Sequence, residues 1–562
     1  MDKCNEEDGG YEYETDGLIF LPMFLPVKGS EKGEKVQSYN GTWNYNYKWK
    51  PPEENTIDFR VTFDRDKRFY TYNKTHEDGT IQKIQYRKIV LTVGYKEKDD
   101  KLIDFNMKFV NNEKPNTKRY LHFNRGVDNL HICNVPLKNG KVVCERDRLE
   151  ITDGCIVEMR YNGLNNDGFN WSPLRVRTDK EFPQWFSIAE NIWKTITNPV
   201  THPMITGEEE LLTEDVIENN EYYVSENNND NSTPIRHLHN FIKSILIKDV
   251  ISDIGKDIFI LDTSCGRGGD NQKYLSADKK KNNIKFILGL DISDNIREAS
   301  NRYYHESLKN QVPKGIFLQF DTSKNIKKNE GCMNNTCEDM LSIIFGKKQS
   351  YDKKYDKFYR EYNSLGRRGF DVISSQFSFH YYFKDEETLR GYLQNLKELV
   401  KTGGYFMGTC YDGMKVFKTF GMNDGNNIQG RDEKETLIYD IVKDYDISNF
   451  DYNKGDTSNM FGQEITVYMS SIGQYITEYL VNFEFVIDIM KEYGFELIAP
   501  KNSSIFKKPI GNFEEIIDKI DNLLDDSEKD FKRAYMYAKT VQKDEKYRKL
   551  SGLNNWFIFK KV

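Results

Sequence analysis

One stretch restricts the fold of this chain more than any other: Phe259-Ile-Leu-Asp-Thr-Ser-Cys-Gly-Arg-Gly-Gly-Asp270. Its apolar start predicts a buried strand, and the glycines at 266, 268 and 269 predict a turn opening a helix near Asn271. Such a turn lets a ligand approach bare backbone, while the helix N-terminus adds oriented N–H groups. About twenty residues on, Phe286-Ile-Leu-Gly-Leu-Asp291 predicts a second apolar strand ending in a carboxylate. An acid at the tip of the second strand is where a doubly wound nucleotide fold grips ribose hydroxyls.

That layout serves dinucleotide and S-adenosylmethionine enzymes alike. The turn Gly266-Arg-Gly-Gly269 lacks a fully formed G-x-G-x-x-G, so a pyrophosphate seat is poorly supported and the methyl donor is favoured. Phe370-Asp-Val-Ile-Ser-Ser-Gln-Phe-Ser-Phe-His-Tyr381 then supplies a fourth strand ending in aromatic and polar groups. Taken together, ILDTSCGRGGD, GLDIS, FDVISSQFSFHYYF and GGYFMGTCYDG resemble the mRNA cap guanine-N7 methyltransferases, over residues 235–562. The resemblance implies an α/β, Rossmann-like, S-adenosylmethionine-dependent domain that methylates N7 of a GpppN cap. Guanine N7 has a lone pair and no proton to lose, so no catalytic acid or base is assigned, and no metal.

The resemblance also implies roles for individual residues. Lys243, on a helix predicted over Ile235–Ile247, reaches the cofactor's methionine carboxylate. Gly266 and Gly268 shape the turn, and Asp270 accepts from the donor's ammonium, anchors the loop or caps the following helix. Asp291 takes the ribose, Asp321 and Thr322 the adenine edge, and Gln376 the cofactor. On the cap side stand His239 and Asn240, where relatives commonly carry Asn-Asn, and Arg267, where relatives often carry lysine and which meets the cap phosphates. His380 and Tyr381 face the cap base, and Glu478 accepts from the guanine N1 and N2 hydrogens. The plainer alternatives are a satisfied core histidine at 380 and a solvated helix-start acid at 478.

Upstream, short alternating strands such as Lys88-Ile-Val-Leu-Thr-Val-Gly94 and Cys155-Ile-Val-Glu-Met-Arg-Tyr161 predict a small Greek-key barrel. Lys48 and Lys50 alternate in an extended segment and so face one way, towards a polyphosphate or as solubilising edge charges. DGLIF, then YKWKP and NTIDF, then WSPLRVRTDK resemble the last three motifs of covalent nucleotidyltransferases, mRNA guanylyltransferases in particular. This implies a partial nucleotidyltransferase core over 1–60, an OB-fold lid over 61–185 and a partial GTP site of Asp16, Lys48, Lys50, Arg175, Asp179 and Lys180. The family's nucleophilic lysine sits in K-x-D-G, a tetrapeptide found nowhere in the chain. Covalent guanylate transfer, with GTP and Mg2+, is therefore expected only if another chain supplies the missing half.

Residues 186–234 are expected to bridge the two parts, with the Asn-rich run 219–232 as a flexible tether. The lysine-rich stretch 325–369 is expected to be a solvated insertion. A net charge of −7 argues against non-specific coating of duplex nucleic acid but not against a local basic groove for an RNA 5′ end. No apolar run spans a bilayer, no leader is evident at the N-terminus, and eight scattered cysteines suit a reducing compartment. The expectation is a cytoplasmic protein, in a virus factory or virion if viral and nuclear if cellular. Its expected partners are a capped mRNA 5′ end and a stimulatory or complementing capping subunit.

Overall fold

The structure is a computed structural model describing residues 17–21, 47–64, 69–76, 78–100, 103–124, 129–163, 168–208, 233–278, 283–347, 352–422, 426–432, 435–501, 503, 506–519 and 529–562. Asp16 and the tether 219–232 lie outside the described residues. The chain divides into two units, the second drawing in Phe105–Glu113 from the N-terminal half.

The first unit carries two sheets. Strands β1 (Leu18–Phe20) and β2 (Tyr47–Trp49) form an antiparallel pair. The larger, seven-stranded sheet comprises β3 (Thr56–Phe63), β4 (Tyr70–Thr75), β5 (Ile81–Gly94), β6 (Tyr120–His122), β7 (Ile132–Pro136), β8 (Ile156–Tyr161) and β9 (Trp171–Val176). Its pairings are all antiparallel, in the order β4-β5-β3-β8-β9, with β6 and β7 also pairing with the long β5. Alternate residues Ile57, Phe59 and Val61 on β3 and Ile89, Leu91 and Val93 on β5 are wholly buried, the period of two that puts one face on a core. Helix α1 (Phe105–Asn111) follows β5 in sequence but belongs to the second unit. Helix α2 (Phe186–Thr197) corrects the expected linker boundary. Phe186, Ala189 and Trp193, at three- and four-residue spacing, bury into the core of this sheet, with Trp193 against Trp171 and Tyr161. A short helix α3 (His202–Thr206) ends the described part of this unit.

The second unit is built on an eight-stranded sheet: β10 (Ile258–Asp262), β11 (Ile284–Asp291), β12 (Lys314–Gln319), β13 (Phe370–Gln376), β14 (Val400–Tyr411), β19 (Phe495–Leu497), β20 (Ile510–Asn512) and β21 (Asn554–Lys561). The order β12-β11-β10-β13-β14 is parallel throughout, and β21 closes antiparallel on β14 with β19 and β20 on it. Burial on both faces explains why these strands read as continuous apolar runs. The winding reverses between β10 and β13, and a doubly wound sheet opens its ligand crevice at the carboxyl ends flanking such a reversal.

Helices α4 (Thr233–Ile254), α5 (Asn271–Ala277), α6 (Ile296–Ser307), α7 (Asn335–Ile344), α8 (Asp356–Tyr362) and α9 (Glu386–Leu399) accompany the parallel strands. The segment 325–369 is not a solvated insertion: Met340, Leu341, Ile343, Ile344, Tyr355 and Phe358 are buried in the unit's main core. Beyond α10 (Gly413–Gly421), an antiparallel sheet of β15 (Asn427–Arg431), β16 (Leu437–Lys443), β17 (Glu464–Met469) and β18 (Tyr475–Tyr479) precedes α11 (Phe483–Glu492). Helices α12 (Phe513–Lys519), α13 (Lys529–Lys543) and α14 (Glu545–Gly552) lead into β21.

Helix α1 covers the outer edge of the parallel sheet. The Asn106 amide donates to the Phe317 carbonyl at 2.7 Å and accepts from the Phe317 N–H at 3.0 Å, satisfying edge-strand groups of β12 as a neighbouring strand would. Phe105 packs on Tyr304 and Phe109 on Tyr303, both on α6.

Candidate active site

The glycine turn follows β10 as expected, and α5 starts at Asn271. Gly266 takes φ 50° with nothing within 4 Å of where a Cβ would sit, so the turn faces open space. Its N–H donates to Asp291 at 2.7 Å, which ties the tip of the second strand to the turn. The other Asp291 oxygen accepts from the Ser293 N–H and hydroxyl at 2.9 and 2.5 Å.

Asp270 does not cap α5 through its side chain. Its carboxylate lies 2.7 Å from the Lys243 ammonium and 2.8 Å from that of Lys273, all three side chains nearly buried. Burial alone would raise the Asp270 pKa, but the two ammonium charges more than offset it and hold the group well below the usual carboxylate range. An anchored loop and an exchangeable ion pair are both present here. A zwitterionic amino-acid end would find a carboxylate for its ammonium and an ammonium for its carboxylate.

Behind that pair lies a residue that sequence reasoning missed. Asp262, the last residue of β10, is buried, accepts from the Tyr274 hydroxyl at 3.0 Å, and has its pKa raised to about 7 by burial and then by the Asp270 charge. The available signal was an acid ending an apolar strand just before the glycine turn. On the neighbouring strand ends, Thr322 hydrogen-bonds the Thr263 carbonyl at 3.1 Å and the Tyr382 hydroxyl at 2.6 Å. Asp321 accepts from Ser323 through backbone and hydroxyl at 2.9 and 2.7 Å. Gln376 is held at both ends, donating to Ser374 and accepting from Thr409, each at 3.1 Å.

The residue after Gln376 also went unassigned. Phe377 has φ 54°, a conformation that costs a non-glycine residue roughly 1–3 kcal/mol and that clusters at functional sites. Its ring stacks on His239 with centroids 5.1 Å apart and lies 5.6 Å from the Lys243 ammonium. His239 reaches Ser551 at 3.2 Å, and burial together with the Lys243 charge pushes its pKa down to about 3, so the ring is neutral. Asn240 follows it on α4, half-buried. Arg267 leans on α6, donating to Asn295 at 3.1 Å and pairing with Glu298 at 3.2 Å.

The pair expected to face the cap, His380 and Glu478, is deeply buried. Strand β18 alternates exposed Tyr475 and Thr477 with inward-facing Ile476 and Glu478, so a carboxylate occupies a position built for an apolar group. Glu478 is 6% exposed and its pKa is raised to about 8 by burial. His380 is 2% exposed, and burial lowers its pKa to about 3. The His380 Nε2 and a Glu478 oxygen sit 3.5 Å apart, but neither His380 nitrogen nor that oxygen has a hydrogen bond. The Tyr381 ring flanks His380 at 4.3 Å. Glu478 is thus not a solvated helix-start acid, and His380 is not a satisfied core histidine. Buried polar atoms without partners are rare in folded proteins and call for an explanation.

The partial GTP site looks different. Arg175 is paired with Glu158, Lys180 with Asp58, and Asp179 with both ends of the Arg177 guanidinium at 2.9 and 2.8 Å. Arg177 also reaches buried Asp58 at 2.8 Å, making these two unassigned residues the hub of the cluster. Lys48 is exposed and Lys50 half-buried on either side of Trp49.

A doubly wound sheet with a glycine turn, a ribose-type acid and an amino-acid-sized ion pair at the point of reversal defines an S-adenosylmethionine-dependent methyltransferase fold. The family described as "mRNA (guanine-N(7))-methyltransferase domain" matches residues 209–562, and "mRNA capping enzyme, C-terminal domain" matches residues 54–206. The chain belongs to the mRNA (guanine-N7)-methyltransferase family, with a capping-enzyme C-terminal domain ahead of it. Among its relatives is an Acanthamoeba polyphaga mimivirus protein named "Probable mRNA-capping enzyme", 28% identical over 86% of this chain and 40% of that protein. The mRNA cap guanine-N(7) methyltransferases of Candida glabrata and Saccharomyces cerevisiae are 31% and 26% identical, over 50% and 48% of this chain and 58% and 53% of their own lengths. A solved S-adenosylmethionine-dependent methyltransferase from Clostridium acetobutylicum covers 56% of this chain and 89% of its own at 12% identity, with a TM-score of 0.29, too remote to add to the sheet order.

Proposed function

We propose that this chain transfers a methyl group from S-adenosylmethionine to N7 of the guanine in a GpppN cap, as the methyltransferase part of an mRNA-capping enzyme. The observation that carries the reading is the buried His380–Glu478 pair, held without hydrogen bonds in the domain whose glycine turn and Asp291 suit the cofactor. Ionised Glu478 offers two acceptor oxygens, the complement of the parallel N1 and N2 donors of guanine, which N7 methylation leaves in place.

The residues present fit the cofactor. Asp291 is placed for the ribose hydroxyls, and the Lys243–Asp270 pair for the charged amino-acid end. When bound, the cofactor supplies an electrophilic methyl group on a sulfonium. The chain's own part is positional: Glu478, His380 and Tyr381 orient the purine, and Arg267 draws the bridging phosphates. Orientation alone is worth effective molarities of about 10⁵–10⁸ M for well-aligned partners. With no proton on N7, no residue is assigned to proton transfer.

The setting of the reading is a capped mRNA 5′ end in a virus-type cytoplasmic capping system, where a complementing or stimulatory subunit would be the natural partner. The first unit supports a structural rather than a nucleotide-transferring role, since Arg175, Asp179 and Lys180 are each paired within it. The test is incubation of the full chain with S-adenosylmethionine and GpppRNA, followed by nuclease digestion. Recovery of 7-methylguanosine caps supports the reading. Methyl groups on ribose, or on an internal base alone, overturn it.

A further inference from the structure

A cavity of about 340 Å³ opens between α5 and α6, sharing only Gly268 with the residues assigned so far. Gly268 and Gly269 form one wall, Leu275 and Tyr303 line another part, Lys309 brings a cationic side chain, Glu306 a carboxylate, and Arg302 reaches it already paired with Glu298 on α6. Asn271 lines it while only 4% exposed, and neither end of its amide has a hydrogen-bond partner. The side-chain oxygen of Asn301, another lining residue, is buried without a partner as well. Gly268, at φ 72°, permits this arrangement, because a Cβ there would stand 2.6 Å from the Asn271 amide nitrogen and 3.0 Å from Ala299. Leaving a buried amide unmatched is unfavourable, and a ligand that pairs with it relieves that cost.

We infer that this cavity receives the first transcribed nucleoside of the capped RNA, its base edge on the Asn271 amide; the inference rests on the cap-methyltransferase reading and extends it. An asparagine amide presents a donor beside an acceptor, the pattern that pairs with a nucleobase edge. The apolar surface suits the faces of the base, and Lys309 suits a phosphodiester. Position agrees with chemistry. The wall begins at Gly268, next in sequence to Arg267, which the proposed function gives to the bridging phosphates, so a chain leaving the cap along them meets this cavity next. Its volume is near the lower end of the roughly 300–1,000 Å³ of small-molecule sites, room for one nucleoside and not for several.

The test uses the full chain and two acceptors, GpppA and GTP, which share the guanine but not the added nucleoside. The quantity read is the ratio of their kcat/KM values in the wild type, in Asn271→Ala and in Gln272→Trp, which fills the cavity from the α5 surface; thermal melting confirms that each variant is folded. The wild type is expected to favour GpppA by about fivefold or more, and each variant to cut that ratio to about half or less. A smaller wild-type preference, a ratio unaltered in both variants, or equal losses on both acceptors overturns the inference. Methylation of neither acceptor by the wild type is a separate outcome: it removes the methyltransferase reading and this inference with it.

Discussion

Two sets of polar residues, one from each unit, are handled in opposite ways. In the first, Asp58, Arg177, Asp179 and Lys180 satisfy one another, and Glu158 takes Arg175. In the second, His380, Glu478 and Asn271 keep polar atoms in the interior with no hydrogen bond at all. Closed networks hold a fold; polar atoms left open in the interior are where a ligand can complete the structure. The polar residues around the glycine turn fall between these extremes, anchored on one side and still facing open space at Gly266.

Removing a buried group whose partners depend on it should cost stability. The largest effect is expected for Asp270→Ala, which leaves Lys243 and Lys273 as nearly buried charges without their shared partner. Denaturant unfolding should show a loss of about 3–5 kcal/mol, and cofactor binding should fall with it. A loss of similar size, about 3–5 kcal/mol, is expected for Phe105→Ala, because that ring is buried in the methyltransferase domain although it comes from the N-terminal half of the sequence. A fragment of residues 235–562 should accordingly be less stable than the full chain, and an outcome of equal stability would remove α1 from the domain.

An open network should behave otherwise. Glu478→Gln is nearly isosteric and should leave the melting temperature within about 2 °C or raise it, while weakening cap binding about 10- to 100-fold, since an amide offers one acceptor oxygen and sets its NH2 donor against the second guanine donor. Cofactor affinity, measured in parallel, should hold. The smallest effect is expected for Arg177→Ala, about 1–3 kcal/mol in unfolding free energy with methylation of capped RNA unchanged. Reduced methylation without destabilisation would give the first unit a part in the reaction and collapse the contrast.

Much of the second unit could be read from its sequence because parallel strands buried on both faces leave continuous apolar runs, and the turns between them need glycine. The strand-end acid Asp291 was legible for the same reason, as a charge where the pattern calls for apolar groups, whereas Glu478 could be picked out only through the family resemblance. Other features left no local signature. Helix α1 is only seven residues long and its partner, β12, lies about 200 residues away, so nothing nearby announces that Asn106 will bond the Phe317 backbone. The 325–369 segment was discounted for its lysines, and the helix over 186–197 was included in the bridging segment, although spacings such as Phe186, Ala189 and Trp193 carried the helical signal. Asp58 and Arg177 were missed because pairing between β3 and the end of β9 is set by sheet register.

The contrast rests on Glu478 being held for a guanine. Its raised pKa, about 8, means that at pH 7 the empty site carries mainly the protonated acid, whereas the two guanine donors require the carboxylate. Binding must therefore expel a proton, and affinity must fall by up to about tenfold per unit as pH drops below 8. Calorimetry of GpppG binding to the full chain at pH 7, repeated in buffers of different ionisation enthalpy, reads this directly. Release of close to one proton per ligand, abolished in Glu478→Gln, is the predicted result; binding with no proton release, or release that persists in the variant, would contradict it.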